Sequence, residues 1–297
     1  MDKQFKSGFV SIIGKPNVGK STLLNTIVGE KIAIISNKPQ TTRNKILAIL
    51  TTDDCQIVFN DTPGIHRPRT KLSEFMVQTA NDSMKEMDLV LFVVDATTPT
   101  SETEREIAQN LKLLGVPAIL VINKVDLVKK DTILPIIADF SSLHSFEAII
   151  PVSAMKNDGV DMLISEIKQY MIEGPAFFPE DMITDQPEKQ LAAEIIREKI
   201  LWLLDKEVPH GVAIEIEKMN DGKGTCKILA SIYCEKASHK GIIIGKGGNV
   251  LKKVGQMARY DIEKMLGRKV YLELFVKVKS DWRNNNYLLK NFGYTNN

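Results

Sequence analysis

Gly14-Lys15-Pro16-Asn17-Val18-Gly19-Lys20-Ser21 fits the pattern GxxxxGK[ST], and it stands between an apolar run, 9–13, and a stretch of helical character, 20–28. A strand before and a helix after is the context this pattern requires. The glycines let the main chain wrap a phosphate with its N–H groups turned inward. The following helix adds the partial positive charge of its N-terminus. Lys20 then reaches the β- and γ-phosphates, Ser21 offers its hydroxyl to Mg²⁺, and Thr22 continues the phosphate cradle.

Working outward, further apolar runs at 46–50, 56–60, 89–94, 118–122 and 149–152 read as strands, and 72–87, 102–114 and 160–172 read as helices. Alternation of this kind predicts an α/β domain with a mostly parallel sheet covered on both faces. Ligands of such sheets sit at the carboxyl ends of the strands, and the polar motifs of this half fall there.

Asn123-Lys124-Val125-Asp126 follows the run 118–122. The Asp126 carboxylate can accept from both N1–H and the N2 amine of guanine. Adenine lacks that donor pair and leaves a charged acceptor unpaired, which costs about 1.5–3 kcal/mol or more in a closed site. Lys124 can lay its stem along the base, and Asn123 can tie the loop to the phosphate loop or reach the base. Ser153-Ala154, after the last strand, offers main-chain N–H groups to guanine O6. Asp61-Thr62-Pro63-Gly64 follows the run 56–60; Asp61 is placed to hold Mg²⁺ through water, and the Gly64 N–H to sense the γ-phosphate. Between these lies Gln40-Thr41-Thr42-Arg43, flanked by Asn37, Lys38 and Pro39, where Thr42, or next Thr41, can close over Mg²⁺. The motifs together predict a protein that binds GTP and GDP with Mg²⁺ and hydrolyses GTP.

The stretch 174–187 breaks the rhythm with three prolines, Pro175, Pro179 and Pro187. It reads as an interdomain linker, which gives a GTPase domain at 1–173, a linker at 174–190 and a second domain at 191–297. In the second part, 191–204 is helical, 212–218 alternates as a half-buried strand, Asn220–Gly224 signals a hairpin and 225–234 is the return strand. Then 241–244 leads into Gly245-Lys246-Gly247-Gly248, followed by a helix at 249–266 and a strand at 270–278. Helix, strand, strand, helix, helix, strand is an α+β order.

Charge separates the halves. Residues 236–297 hold 13 Lys/Arg against 4 Asp/Glu, a local +9, so the remainder carries −7 of the net +2. A basic end of this kind points to a polyanionic partner. Lys240, Lys246, Lys252 and Lys253 gather around the glycine turn, and Arg259, Lys264, Arg268 and Lys269 extend the positive face. The turn suits close approach to a nucleic-acid backbone, and Trp282, Arg283 and Tyr287 of the tail can stack on bases or dock on the domain. Three scattered cysteines form neither a disulfide frame nor a zinc site and suit a reducing cytoplasm. No run reaches the ~18 apolar residues of a membrane span, which leaves peripheral membrane contact as the remaining membrane option.

GKPNVGKST, PQTTRN and DTPGIH together resemble the Era family of bacterial GTPases, and Gly245-Lys246-Gly247-Gly248 before a helix is similar to the GxxG signature of a type II KH domain. The resemblance runs from Phe9 to about Val278. It implies a monomeric switch protein that binds the 3′ end of small-subunit (16S) ribosomal RNA through the KH domain, assists small ribosomal subunit assembly, and is cytoplasmic with some association to the inner membrane face. Two other readings stand beside it: a GTPase whose basic domain docks on membrane or protein, and an RNA-binding module with a structural nucleotide site. Ile65 stands where Ras-type enzymes carry a water-orienting glutamine. Catalysis therefore leans on Mg²⁺, Lys20, the phosphate-loop amides, Thr42 and Gly64. Asn17 resembles the asparagine of GTPases that hold K⁺ beside the phosphates, which adds K⁺ as an expected cofactor. His66 lies near the switch but is not assigned as a base.

Overall fold

In the computed structural model the described residues are 4–36, 38, 41–64, 70–82, 87–205, 207–222 and 224–294. They form two compact units, one of Met1–Ala33, Thr42–Pro68 and Met76–Asp185, the other of Ile34–Thr41, Arg69–Phe75 and Gln186–Asn297. Asn37, Pro39, Gln40, Ile65 and His66 lie outside the described residues.

The first unit is a sheet with the order β2-β3-β1-β4-β5-β6. Its strands are β1 (Lys6–Ile13), β2 (Ile46–Thr52), β3 (Cys55–Asp61), β4 (Leu89–Asp95), β5 (Ala118–Asn123) and β6 (Ala148–Pro151). Along this order all neighbours are parallel except the β2–β3 pair, and a seventh strand pairs antiparallel with the start of β1. β3, β4 and β5 are almost wholly buried along their length, and β4 and β5 are apolar up to their carboxyl ends, as strands covered on both faces must be. One face packs on α1 (Lys20–Val28) and α5 (Val160–Ile167) through Leu23, Leu24, Leu163 and Ile167. The other packs on α3 (Glu102–Leu114) and α4 (Ile133–Leu143) through Ile107, Leu111 and Phe140. Helix α2 (Lys71–Asp82) precedes β4. Helix α3 opens on a capping box, with Ser101 accepting from the Glu104 N–H and the Glu104 carboxylate accepting from the Ser101 N–H.

Several expected bounds move. Helix α5 stops at Ile167, and after a short 3₁₀ turn Ile172–Glu173 becomes β7, antiparallel to the start of β1. Val152 lies beyond the last strand, and α4 is a helix that periodicity did not single out. The stretch 174–185 lies along the sheet: Gly174 N–H donates to Phe5 at 3.0 Å, Phe177 and Phe178 N–H donate to the Gln56 carboxamide at 2.7 and 2.9 Å, and Ile49 N–H donates to the Ile183 carbonyl at 2.9 Å.

The second unit has a three-stranded sheet, β10-β9-β8, under three helices. In chain order these are α6 (Glu188–Leu203), β8 (Ala213–Asp221), β9 (Thr225–Cys234), α7 (Ala237–Ile244), α8 (Asn249–Leu266) and β10 (Lys269–Val278). Strands β8 and β9 are antiparallel, whereas β9 and β10 are parallel and joined through α7 and α8. Val254, Ala258 and Ile262 recur at helical spacing on α8 and bury against Ile228, Ala230 and Ile232 of β9. The run 241–244 is the last turn of α7, which begins at Ala237 and leads directly into Gly245. The tail folds back, with α9 (Asn286–Asn291) bringing Phe292 against Tyr233 and Trp282.

Candidate functional site: a phosphate loop, a guanine loop and a glycine turn

The chain leaves β1 at Ile13 and must reach α1 within a few residues, so the phosphate loop turns tightly. Gly14 has φ +147°, and a Cβ there would lie 2.3 Å from the Val93 carbonyl oxygen of β4. Gly19 has φ +99° and caps α1; its Cβ would lie 2.2 Å from the Asn123 amide nitrogen. Neither place tolerates a side chain, so the glycines are dictated by approach to neighbouring strand ends. Asn17 takes a left-handed φ of +68°, which asparagine accepts more readily than other side-chain residues. Lys15 pairs with the buried Glu104 at 3.1 Å, Pro16 lies under Gly64, and Val18 is buried.

Lys20 is buried, and its ammonium donates to the carbonyls of Gly14 at 3.0 Å and Lys15 at 2.9 Å. Burial lowers its pKa to about 8, against an opposing pull from Asp61. Beside it Ser21, Thr42 and Asp61 converge: Ser21 Oγ donates to Asp61 Oδ2 at 2.9 Å, the Ser21 and Thr42 hydroxyls lie 2.9 Å apart, and Thr42 donates to Asp61 Oδ2 at 3.3 Å. Burial pushes the Asp61 carboxyl up, more than Lys20 and the two hydroxyls pull it down. Among the described residues its buried Oδ1 has no hydrogen-bond partner. An orphaned carboxylate oxygen among three oxygen donors, none of them soft, suits a hard divalent cation such as Mg²⁺. Thr62 donates to the Ile12 carbonyl at 2.9 Å and so pins the start of the Asp-Thr-Pro-Gly turn to β1. A Cβ on Gly64 would lie 2.6 Å from the Pro16 nitrogen, which sets this turn against the phosphate loop.

The guanine loop is tied to the same place. Asn123, at the carboxyl end of β5, donates to the Val18 carbonyl at 2.9 Å and accepts from the main-chain N–H of Lys124 at 2.8 Å and of Ala154 at 3.1 Å. Ser153 donates to Asp126 Oδ1 at 2.7 Å, which aims the exposed carboxylate. Thr26 of α1 donates to the Ala154 carbonyl at 2.9 Å. Lys124 donates to the Asn17 carbonyl at 2.8 Å and to Asp95 at 2.5 Å. Partial burial raises the Asp95 carboxyl, but hydrogen bonds from Lys124 and Thr97 outweigh it and hold the group below the usual range. Asp95 is a site residue that the motif reading did not include. It ends the apolar run of β4 at a carboxyl terminus, the position where ligand-facing residues of such sheets gather.

In the second unit, the turn between α7 and α8 is built on three positive φ angles, +73° at Gly245, +59° at Gly247 and +78° at Gly248. A Cβ on Gly245 would lie 2.5 Å from Val250 Cγ2, whereas at Gly247 and Gly248 nothing lies within 4 Å. Gly245 is therefore needed by the fold, and the other two leave the turn bare on its outer side. Lys240, Lys246, Lys252 and Lys253 are exposed around it, and Ile242 is 48% exposed beside them. Trp282 is fully buried, donates to the Gly211 carbonyl at 3.0 Å and packs on Phe292, so it is not a base-stacking group. Arg283 pairs with Glu235, and Tyr287 is 72% exposed. Among the described residues no group of His, Cys, Asp and Glu has metal-binding geometry, and no helix is long and apolar enough to cross a membrane.

Known proteins repeat both halves. The family model described as 50S ribosome-binding GTPase matches residues 9–124, and the KH domain model matches 207–283. The chain is similar to the GTPase Era of Ruminiclostridium cellulolyticum, 58% identical over 99% of each chain, and to that of Clostridioides difficile, 54% identical over 98% of this chain and 99% of the relative. Two solved structures each superpose with a TM-score of 0.95 at 44% identity, over 98% of this chain and 100% of theirs. One is Era in complex with MgGDPNP and nucleotides 1506–1542 of 16S ribosomal RNA; the other is a single-substitution variant of Aquifex aeolicus Era bound to GDP and AlF4⁻. Likeness at this level over the whole length, joined to a phosphate loop, a guanine-reading loop and a KH turn, leaves one assignment: the chain belongs to the Era family of GTPases.

Proposed function

We propose that this GTPase binds small-subunit (16S) ribosomal RNA near its 3′ end through the Gly245–Gly248 turn and assists assembly of the small ribosomal subunit. One observation carries the reading. The relative crystallised with both MgGDPNP and 16S nucleotides superposes on this chain over 98% of its length. The bare, lysine-rimmed turn supports it, since main chain and charge there are open to a phosphate backbone.

Hydrolysis follows from charge placement. Gly14, Lys15, Pro16, Asn17, Val18, Gly19, Lys20, Ser21 and Thr22 cradle the phosphates. Ser21, Thr42 and Asp61 would hold Mg²⁺, which supplies charge neutralisation on the β- and γ-oxygens when bound. Lys20 adds a buried cation where charge would develop, and the Gly64 N–H would donate to the γ-phosphate. Asn123, Lys124, Asp126, Ser153 and Ala154 select guanine. Asn17 would serve as a ligand for K⁺ beside the phosphates, so turnover in KCl should exceed that in NaCl; equal rates would withdraw this ion.

Binding of GTP and ribosomal RNA supports a cytoplasmic location, and the resemblance implies a monomer. Contact with the inner membrane face is peripheral and rests on the basic end alone. The deciding experiment is affinity for a single-stranded 16S 3′-end fragment in GTP, GDP and no nucleotide, across a salt series. Tight, salt-sensitive binding that changes with nucleotide is expected. Binding no stronger than to an unrelated RNA in all three states would overturn the proposal.

A further inference from the structure

Helix α6 carries three consecutive charged residues, Arg197, Glu198 and Lys199, and all three are buried. Charge in such a place needs compensation, and here much of it comes from the main chain of Ile34–Thr41, which belongs to the same compact unit. Glu198 Oε1 accepts from the Ile35 N–H at 2.9 Å, and the Trp202 Nε1–H donates to the Ile35 carbonyl at 2.8 Å. Both main-chain groups of Ile35 are thus held by side chains of one helix. Arg197 donates to the Thr41 carbonyl, and its Nε donates to Glu194 at 2.9 Å. Lys38 donates to the Leu204 carbonyl and pairs with Asp205 at 3.0 Å. The grip is itself braced: Lys199 pairs with Glu198 at 2.7 Å and with Asp261 of α8 at 2.5 Å, and lies 3.9 Å from the Trp202 ring centre.

Thr42 follows Thr41 by one peptide bond. Its hydroxyl stands 2.9 Å from Ser21 and 3.3 Å from Asp61, among the oxygens that suit Mg²⁺. We propose that Arg197, Glu198 and Trp202 are positioning residues for GTP hydrolysis. They hold the main chain at Ile35 and at Thr41, and so set how readily Thr42 closes over the metal in the triphosphate state. The proposal rests on the metal-binding reading of Thr42 given above. Helix α6 touches neither nucleotide nor metal in this account; it acts through a backbone anchored side chain by side chain.

The test uses the full chain and calorimetry with GDP and with a non-hydrolysable GTP analogue, both in Mg²⁺. Trp202→Phe keeps the ring beside Lys199 and removes only the donor to Ile35, and Arg197→Met removes the donor to Thr41. Trp202→Phe is expected to lower the preference for triphosphate over diphosphate about fivefold, the worth of one neutral hydrogen bond, and Arg197→Met about tenfold or more, since its donor is charged, with GDP affinity within about twofold of the parent in both. In a Thr42→Ala background, neither should lower that preference further, because the group being positioned is gone. Trp202 is 47% exposed, so its variant keeps the test open if Arg197→Met does not fold. An unchanged preference in Trp202→Phe, or a drop that persists without the Thr42 hydroxyl, overturns the positioning role. Should Thr42→Ala itself leave the preference intact, the metal-binding reading of Thr42 fails, and the positioning role falls with it.

Discussion

The carboxamide of Asn123 donates to the Val18 carbonyl at 2.9 Å while its oxygen accepts from Lys124 and Ala154, so one side chain joins the phosphate loop to both base-reading loops. It is 2% exposed, and its removal leaves buried main-chain groups unpaired. Asn123→Ala should weaken GDP and GTP alike, by about 10- to 100-fold, since three lost bonds in a closed site are worth about 1.5–3 kcal/mol. Calorimetry with both nucleotides checks this, and a loss confined to GTP would contradict it.

Asp126 reads guanine only as a carboxylate. Asp126→Asn replaces one acceptor oxygen with a donor amine, which faces the donor edge of guanine and suits a base with a carbonyl at that position, such as xanthine. GTP affinity should fall by about 100-fold and XTP should become the preferred substrate. Turnover of GTP, XTP and ATP by the variant measures it.

Lys20 gives a pH signature. Burial holds its pKa at about 8 in the nucleotide-free chain, and a polyphosphate beside it must raise that value. Near pH 8 binding therefore takes up about half a proton, near pH 6.5 almost none, and affinity declines as pH rises through the free-state value. Calorimetry in buffers of different ionisation heat reads the uptake directly. Lys20→Met should abolish it and weaken binding.

The glycine turn separates fold from function by position. Gly245→Ala drives a methyl against Val250 at a positive φ and should cost about 1–3 kcal/mol of stability. Gly247→Asp, at φ +59° with open space around it, should leave the thermal midpoint within a few degrees. The new carboxylate would repel a phosphate backbone, so RNA affinity should fall at least tenfold while GTP turnover in the absence of RNA is retained. Paired melting and RNA-binding curves decide it.

The nucleotide half was legible because its chemistry demands particular residues where the chain has few alternatives. Gly14 and Gly19 sit where a Cβ would strike Val93 and Asn123, and Asp126 stands where only a carboxylate discriminates. Helix α7 was less legible: its Gly241-Ile242-Ile243-Ile244 end favours extended chain locally and is helical through packing of Ile243 into the core. The burial of Arg197, Glu198 and Lys199 was hidden for a different reason. Three consecutive residues spread over about 200° of a helix, so periodicity leaves at least one of them on a solvated face, and only a helix covered on more than one side, here also at Ile35 and Thr41, takes all three inside. Trp282 likewise joined a buried aromatic group with Phe292 and Tyr294, residues that a polar tail does not advertise as core.

Strand β2 ends the sheet and would present an open row of main-chain donors and acceptors, were it not for residues 183 and 184. Ile183 and Thr184 lie antiparallel to it, bridging Ala48 and bonding Leu47 and Ile49. A shortened protein cut after Glu173 would keep every nucleotide-contacting residue and still bare that sticky rim, inviting edge-to-edge clumping. One cut after Asp185 carries its own selvedge.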